Sequence, residues 1–382
     1  MQRYITPFVV RDLQAKMVFM GGPRQVGKTT LAQAILNNAY DSGAYYNWDV
    51  DADRKQILSQ QWRVSDALIV FDELHKYQYW KQWIKGVYDV KPDSQQYFLT
   101  GSARLDVYRR GGDSLLGRYH YWRLHPLTLD ELPDGLSSEE GLSRLLTVGG
   151  FPEPFLQNDL RQARRWRRER FDRVLKEDVR DIEDVRNIQL LYLFTDLLRQ
   201  RAGSLIVLAN VARDLQIAPN TAKSWLALIE RMYLAFPVYA YTTQIPRAIQ
   251  KPMKIYFYDN GDIEADSGAR LENLVATTLL KRLHFLEDYY GYRCSLHYLR
   301  DKDGREVDFV TVIDGKLDAL IEVKVSDDQV STSLKYYANK LRPQQAVQLV
   351  QDLNKPYEKD GILVTTPIDF FRQPPWQNLK EA

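Results

Sequence analysis

The sequence predicts an α/β protein with a parallel-sheet domain in front, a helical and winged-helix middle, and a second α/β unit at the end. Three observations carry this. Between residues 16 and 125, β-rich runs ("KMVFMGG", "YYNWDV", "DALIVFDE", "QQYFLTGS", "YHYWRLH") alternate with segments of helical period ("KTTLAQAILNNAY", "WKQWIKGVYDV"), and such alternation implies parallel strands crossed over by helices. Over residues 204 to 258 the order is helix, tight turn at "QIAPN", second helix, then β-rich segments, the order of a winged helix-turn-helix. From "KIYFYDNGD" onward come a strand, the helix "ARLENLVATTLLKRL", and the strands of "SLHYLRDKDGREVDFVTVI" and "KLDALIEVKV". The expected domains are 1–150, 151–255 and 256–382, the first boundary marked by the Gly and Pro of "GGFPEPF".

Composition narrows the class. A length of 382 residues with 45% hydrophobic content allows two or three domains, each with its own core. The 52 Lys and Arg against 50 Asp and Glu leave a net charge of +2, so any affinity for nucleic acid has to come from local patches. The single cysteine, Cys294, has no internal disulfide partner, which fits a reducing compartment. No run approaches the roughly 20 apolar residues of a membrane span, and the start "MQRYITPFVV" is too short in apolar residues for a signal peptide. A cytoplasmic location with no membrane partner is expected.

The first strand runs into "GPRQVGKTT": Gly22, Pro23, Arg24, Gln25, Val26, Gly27, Lys28, Thr29 and Thr30. It fits G-x-x-x-x-G-K-[ST] between a strand and a helix, where that motif acts. The glycines let backbone N–H groups close on phosphate oxygens and the helix N-terminus favours negative charge. Lys28 would reach the terminal phosphates of ATP and Thr29 would hold Mg²⁺. In "ALIVFDELHKY" an apolar strand delivers Asp72 and Glu73 at its C-terminal end, where open parallel sheets bind ligands. Asp72 belongs to the magnesium shell, and Glu73 is the candidate general base for the attacking water.

With "GPRQVGKTT", "IVFDELHKY..W", "FLTGSAR" and "SLLGRYHYWRLHPLTLDE" in view, residues 16–132 resemble the AAA-type ATPases of a prokaryotic family whose chains end in a PD-(D/E)xK-related domain of unknown function. By that resemblance Ser102 is similar to the sensor that contacts the γ-phosphate and water. Arg118 is a candidate arginine finger or sensor, with Arg104 as a rival. A finger acting in trans would require a homo-oligomer.

In the middle, "RQARRWRRERFDR" sets seven arginines against Glu169 and Asp172, a local charge of +5, with Trp166 and Phe171 interleaved. It reads either as a tracker of a phosphate backbone or as a solvated helix face, partly neutralised by "EDVRDIEDV". The second helix of the winged-helix order would present Asn220, Lys223 and Ser224, to DNA or to a protein.

The last third buries charge in a set order. Strand alternation puts Glu322 and Lys324 on one face, with Asp308 on the preceding strand able to lie beside them. Helix-Glu, Asp, Glu-x-Lys resembles the PD-(D/E)xK nuclease core, a restriction-endonuclease-like fold, and the match falls on Glu272, Asp308, Glu322 and Lys324. The resemblance implies a metal held by Asp308 and Glu322 and a lysine that orients water. A polar strand face alone would give the same pattern. The reading is therefore an ATPase coupling turnover to a nuclease-like domain acting on DNA. Its rivals are a nucleotide-gated binding protein with an inactive nuclease-like domain, and a chaperone-like ATPase remodelling protein partners.

Overall fold

The computed structural model describes residues 3–101, 115–178, 187–242 and 252–373, and the chain divides into two units, Met1–His125 and Pro126–Ala382. The expected sensor Ser102 and the rival Arg104 lie outside the described residues.

The first unit contains α1 (Thr6–Leu13), β1 (Met17–Gly21), α2 (Lys28–Ala39), β2 (Gly43–Asn47), α3 (Asp51–Leu58), β3 (Leu68–Asp72), α4 (Trp80–Asp89), β4 (Gln96–Thr100) and β5 (Tyr119–Arg123). Its five-stranded sheet has the order β2-β3-β4-β1-β5, and every pair is parallel. Strands β1 and β3 are buried at all positions, as continuous apolar runs are when helices cover both faces of a sheet. On one face Phe71 meets Trp62 and Trp83 edge-on, at centroid separations of 5.5 and 5.6 Å, a preferred geometry for aromatic pairs. The register Met20↔Thr100, Asp72↔Thr100 and Gly21↔Arg123 aligns the C-terminal strand ends along one edge. That alignment assembles a site from residues distant in sequence.

The second unit contains α5 (Ser138–Thr147), α6 (Pro152–Gln157), α7 (Leu160–Arg173), α8 (Ile188–Arg199), β6 (Leu205–Ile206), α9 (Leu208–Asp214), α10 (Pro219–Arg231), β7 (Ala235–Ala240), β8 (Met253–Phe257), α11 (Ser267–Phe285), β9 (Cys294–Arg300), β10 (Glu306–Ile313), β11 (Lys316–Lys324), α12 (Thr332–Leu341), β12 (Gln345–Val350), β13 (Tyr357–Lys359), β14 (Ile362–Thr365) and α13 (Pro367–Arg372). Among the described residues its sheet has nine strands in the order β13-β14-β12-β11-β10-β9-β7-β8-β6. Helices α9 and α10 are followed by antiparallel β7 and β8, and β6 closes back onto β8. Because β7 also pairs with β9 through Tyr239↔His297, the strands of the expected middle domain continue the sheet of the expected last one. The boundary expected at 255/256 falls inside β8, and the compact units separate at 125/126 where a break was expected at 150/151. The physical reason is that an edge strand's free N–H and C=O groups are satisfied by adding strands, whatever the helices between them do.

Helix α7 sorts its arginines. Arg167 lies 3.4 Å from Asp259, and Arg170, 3% exposed, lies 3.4 Å from Asp262 and stacks over Phe151. Arg161, Arg164, Arg165 and Arg168 are exposed at helical spacing, with no ion pair among the described residues. No helix of the described residues is long and apolar enough to cross a membrane.

Candidate functional site

The turn from β1 into α2 has the geometry the motif requires. Gly22 sits at φ +136°, and a Cβ there would lie 2.4 Å from the Leu124 carbonyl oxygen. Gly27, at φ +98°, precedes the first residue of α2. Both conformations strongly favour glycine. The Lys28 ammonium, buried, donates to Gly22 O at 3.0 Å and Pro23 O at 2.7 Å, so it closes over the loop that would hold phosphate.

Three hydroxyls converge on Asp72. Thr29 Oγ1 and Tyr45 Oη each donate to its Oδ2 at 2.7 Å, and Thr100 Oγ1 donates to Oδ1. The structure thus brings together Thr29 and Asp72, the residues expected around Mg²⁺. A hydroxyl and a carboxylate are the hard-oxygen donors that suit this ion. Glu73 follows in the left-handed region at φ 58°, with Lys76 at 3.2 Å and His75 at 3.6 Å. Burial lifts its carboxyl above the ordinary glutamate range and neighbouring Asp72 adds to the rise, while Lys76 and Lys28 oppose it.

Arg118 is not brought to this site. It precedes β5 at the N-terminal edge of the sheet, where its carbonyl accepts from Met17 N, and its guanidinium is bidentate to Asp89 at 2.7 and 3.1 Å. A five-residue strand, roughly 17 Å at about 3.3 Å per residue, separates that edge from Gly21. The expectation of Arg118 as a sensor in its own site is corrected: the segment entering a parallel strand lies at the edge opposite the ligand-binding one. Arg123, at the far end of β5 beside Gly21, is the arginine of that segment on the correct edge.

Sequence reasoning missed two supports. Arg3, only 6% exposed, donates to Val26 O at 3.1 Å and to His125 O at 2.5 Å, tying the glycine-rich turn to the segment after β5. Tyr45 was the other. An aromatic hydroxyl at the end of a strand that neighbours an acid-bearing strand is a signal that could have found it.

In the second unit Glu272, Asp308, Glu322 and Lys324 do gather, and Lys254 gathers with them. Its ammonium lies 2.7 Å from Glu306 Oε1, 3.0 Å from Glu272 Oε1 and 3.5 Å from Asp308 Oδ1. Tyr256 Oη donates to the same Glu272 oxygen at 2.6 Å. A register shift between Val307 and Val310 opens a bulge at Asp308, whose Oδ2 accepts Val323 N–H at 2.9 Å. Lys324 pairs with Glu322 at 2.8 Å, on one face of β11 as alternation requires. Burial first and Asp308 second push the Glu322 carboxyl up to about 7.

These residues do not fit a metal. Among the described residues no group of three or more His, Cys, Asp or Glu is arranged to hold one. Asp308 spends one oxygen on the backbone of β11 and turns the other toward Lys254. Asp308 and Glu322, the pair expected to hold a metal, are faced here by Lys254 at 3.5 Å and Lys324 at 2.8 Å. The signal for Lys254 was a lysine inside the apolar run "MKIYF", buried at every position.

A glycine-rich turn between a parallel strand and a helix, facing strand-end acids, defines a P-loop domain. Residues 14–133 match the family model described as AAA domain, so the front of the chain is an AAA-type P-loop domain. Residues 139–269 and 267–371 match two models, each described as a domain of unknown function (DUF8612 and DUF4143). Uncharacterized proteins of Mycobacterium bovis and Mycobacterium tuberculosis are each 25% identical to this chain over 248 residues, 65% of it and 55% of themselves. The chain thus spans about half the length of these two relatives. An uncharacterized protein of Methanocaldococcus jannaschii is 24% identical over 353 residues, covering 82% of this chain and 76% of its own. Among solved structures, the Thermotoga maritima RuvB Holliday junction branch migration motor is similar over 62% of this chain and 87% of its own, at 17% identity and a TM-score of 0.30. Bacteroides Pif1 bound to ssDNA is similar over 40% of this chain and 48% of its own, at 12% identity and a TM-score of 0.22.

Proposed function

We propose that this chain binds ATP with Mg²⁺ at residues 22–30, hydrolyses it, and couples turnover to DNA held by its second unit, a nuclease-like fold joined to a winged helix. The observation that carries the ATP reading is the Thr29–Asp72 hydrogen bond with desolvated Glu73 one residue further on. In this reading backbone N–H groups of the turn bind the phosphates, and Lys28 exchanges the carbonyls of Gly22 and Pro23 for phosphate oxygens. Thr29 and Asp72 would hold Mg²⁺, which would supply charge neutralisation at the phosphates. Glu73 accepts a proton from water as its oxygen bonds to the γ-phosphorus and the bond to the bridging oxygen breaks. Ser102 keeps its proposed role as γ-phosphate sensor. Arg123 replaces Arg118 as the candidate cation of this edge, and a homo-oligomer is proposed only if another arginine acts in trans.

Equilibrium binding of a labelled ATP analogue, alongside steady-state hydrolysis, tests this. Lys28→Ala should lose binding, whereas Glu73→Gln should bind normally and turn over about 10³-fold more slowly. Wild-type turnover in Glu73→Gln would reject the base assignment.

DNA contact draws support from the unpaired arginines 161, 164, 165 and 168 on α7, and from Asn220, Lys223 and Ser224, all exposed along α10. Replacing Arg161 and Arg165 by Ala should lower the slope of log affinity against log salt by about 2 if each meets a phosphate. Of the two ways this unit could act on DNA, cutting or gripping, the Lys254 ammonium among the carboxylates favours gripping. Neither plasmid nor linear DNA should be cleaved in Mg²⁺ or Mn²⁺, with or without ATP, and cleavage lost in Lys324→Ala would reverse that preference.

A further inference from the structure

The carboxylates of the second unit pose an electrostatic problem. Glu272 comes from α11, Glu306 and Asp308 from β10, and Glu322 from β11, all with partly or fully buried side chains. Buried anions this close repel one another unless a cation sits among them. In sites of this chemistry a divalent ion at roughly 2.0–2.6 Å from the oxygens would do that. Here Lys254, 3% exposed, points its ammonium at the point where Glu272, Glu306 and Asp308 converge. Lys254 comes from β8, which lies between β7 and β6, whereas Glu306 and Asp308 come from β10 and Glu272 from α11, so cation and anions are supplied by elements that are not sheet neighbours.

We propose that Lys254 is the resident cation of this cluster, taking the place of a divalent metal, and that its removal uncovers a latent site for Mg²⁺ or Mn²⁺ built from Glu272, Glu306 and Asp308.

Four further observations agree. The oxygens nearest the ammonium are already committed to it: Glu272 Oε1 accepts from both Lys254 and Tyr256. Arg300, at 2.6 Å, neutralises the outer oxygen of Glu306, so the pull on Lys254 is set from within the cluster. Burial works against charge on Lys254, yet Glu272, Asp308 and Glu306 together hold it protonated above the ordinary lysine range. A divalent ion at the same point would lie within contact distance of a fixed positive charge, and both cannot reside there. Beside the cluster Glu322 Oε2 is buried with no hydrogen-bond partner, which leaves a carboxylate oxygen uncommitted. The inference does not rest on ATP hydrolysis, and its test uses nucleotide-free protein so that the two can fail separately.

The test is Mn²⁺ binding to the full chain, read by calorimetry and by the loss of the free-ion paramagnetic resonance signal. Wild-type protein should bind no Mn²⁺ that depends on Asp308. Lys254→Met should bind one equivalent at least tenfold more tightly than wild type, and adding Asp308→Asn should abolish it. Should Lys254→Met be too unstable to titrate, thermal denaturation gives the readout: Mn²⁺ should raise its midpoint while leaving wild type unmoved. The sign of Asp308→Asn is a second check. It should destabilise wild type, where it breaks a pair, and stabilise metal-free Lys254→Met, where it relieves repulsion. Asp308-dependent Mn²⁺ binding by wild type would overturn the proposal, and so would a Lys254→Met protein that neither binds nor is stabilised by the ion.

Discussion

The chain holds two clusters of acids, one at the strand ends of the first sheet and one built from a helix and a strand of the second unit, and they are satisfied by different chemistry. At the edge of the first sheet, Asp72 accepts three hydroxyl hydrogen bonds, from Thr29, Tyr45 and Thr100. In the second unit, Glu272, Glu306 and Asp308 share the ammonium of Lys254. Hydroxyls orient a carboxylate without bringing a countercharge to it. An ammonium orients and neutralises together, and removes the reason for a cation to come. Counting acids in a pocket therefore says little about metal binding until the donors facing them are known.

The largest effect that could break this contrast is at Asp72. Asp72→Asn should lower ATP turnover by about 10²-fold or more, since a charge-bearing ligand is lost where charge develops. It should barely change the stability of the nucleotide-free protein. A large loss of melting temperature without nucleotide would mean that Asp72 serves packing and that the contrast is false.

Lys254→Ala should act in the opposite way, costing about 3 kcal/mol of unfolding free energy by stranding buried carboxylates. Its nucleotide affinity should be unchanged. Urea denaturation followed by tryptophan fluorescence reads this, and a change under about 1 kcal/mol would show the carboxylates are relieved by solvent.

A smaller effect separates Glu322 from its neighbours by pH. Its carboxyl is raised from an ordinary 4.5 to about 7, by burial and by Asp308. The folded state therefore holds this proton more tightly than the unfolded state, and the contribution to stability falls as pH rises from about 4.5 to about 7. Glu322→Gln removes that loss. Relative to wild type it should gain stability between pH 5 and pH 8, by about 2 kcal/mol at the upper end. A difference independent of pH would refute the raised carboxyl.

The smallest effect is expected at Arg118. Its partner is Asp89, at the sheet edge away from the P-loop, so Arg118→Ala should leave turnover within about twofold of wild type. A much larger loss, partly restored by mixing with Lys28→Ala protein, would revive a role in trans.

The readings that survived the structure rest on residues contiguous in the chain. "GPRQVGKTT" carries its own strand, turn and helix start, and only glycine suits φ +136° at Gly22 against the Leu124 carbonyl. Likewise Glu322 and Lys324 share a face because they are two residues apart on a strand. Alternation and spacing act over a few residues, which is why they can be read directly. What faces a side chain from another element is set by sheet order, register and bulges, and those depend on packing across the whole unit. The sheet edge put Arg118 away from the P-loop, although it lies in a segment that resembles the right one. Docking of α7 buried Arg170 and half-buried Arg167 against Asp262 and Asp259, and left four neighbouring arginines exposed. A bulge turned Asp308 inward, and the pairing of β8 delivered Lys254 to it from 54 residues away. Asp72, Glu73, Glu272, Asp308 and Glu322 could be named from the sequence by itself; only the tertiary structure brought in Glu306 and decided which donors each acid meets, because a charge deep in a fold is governed by its nearest partners in space.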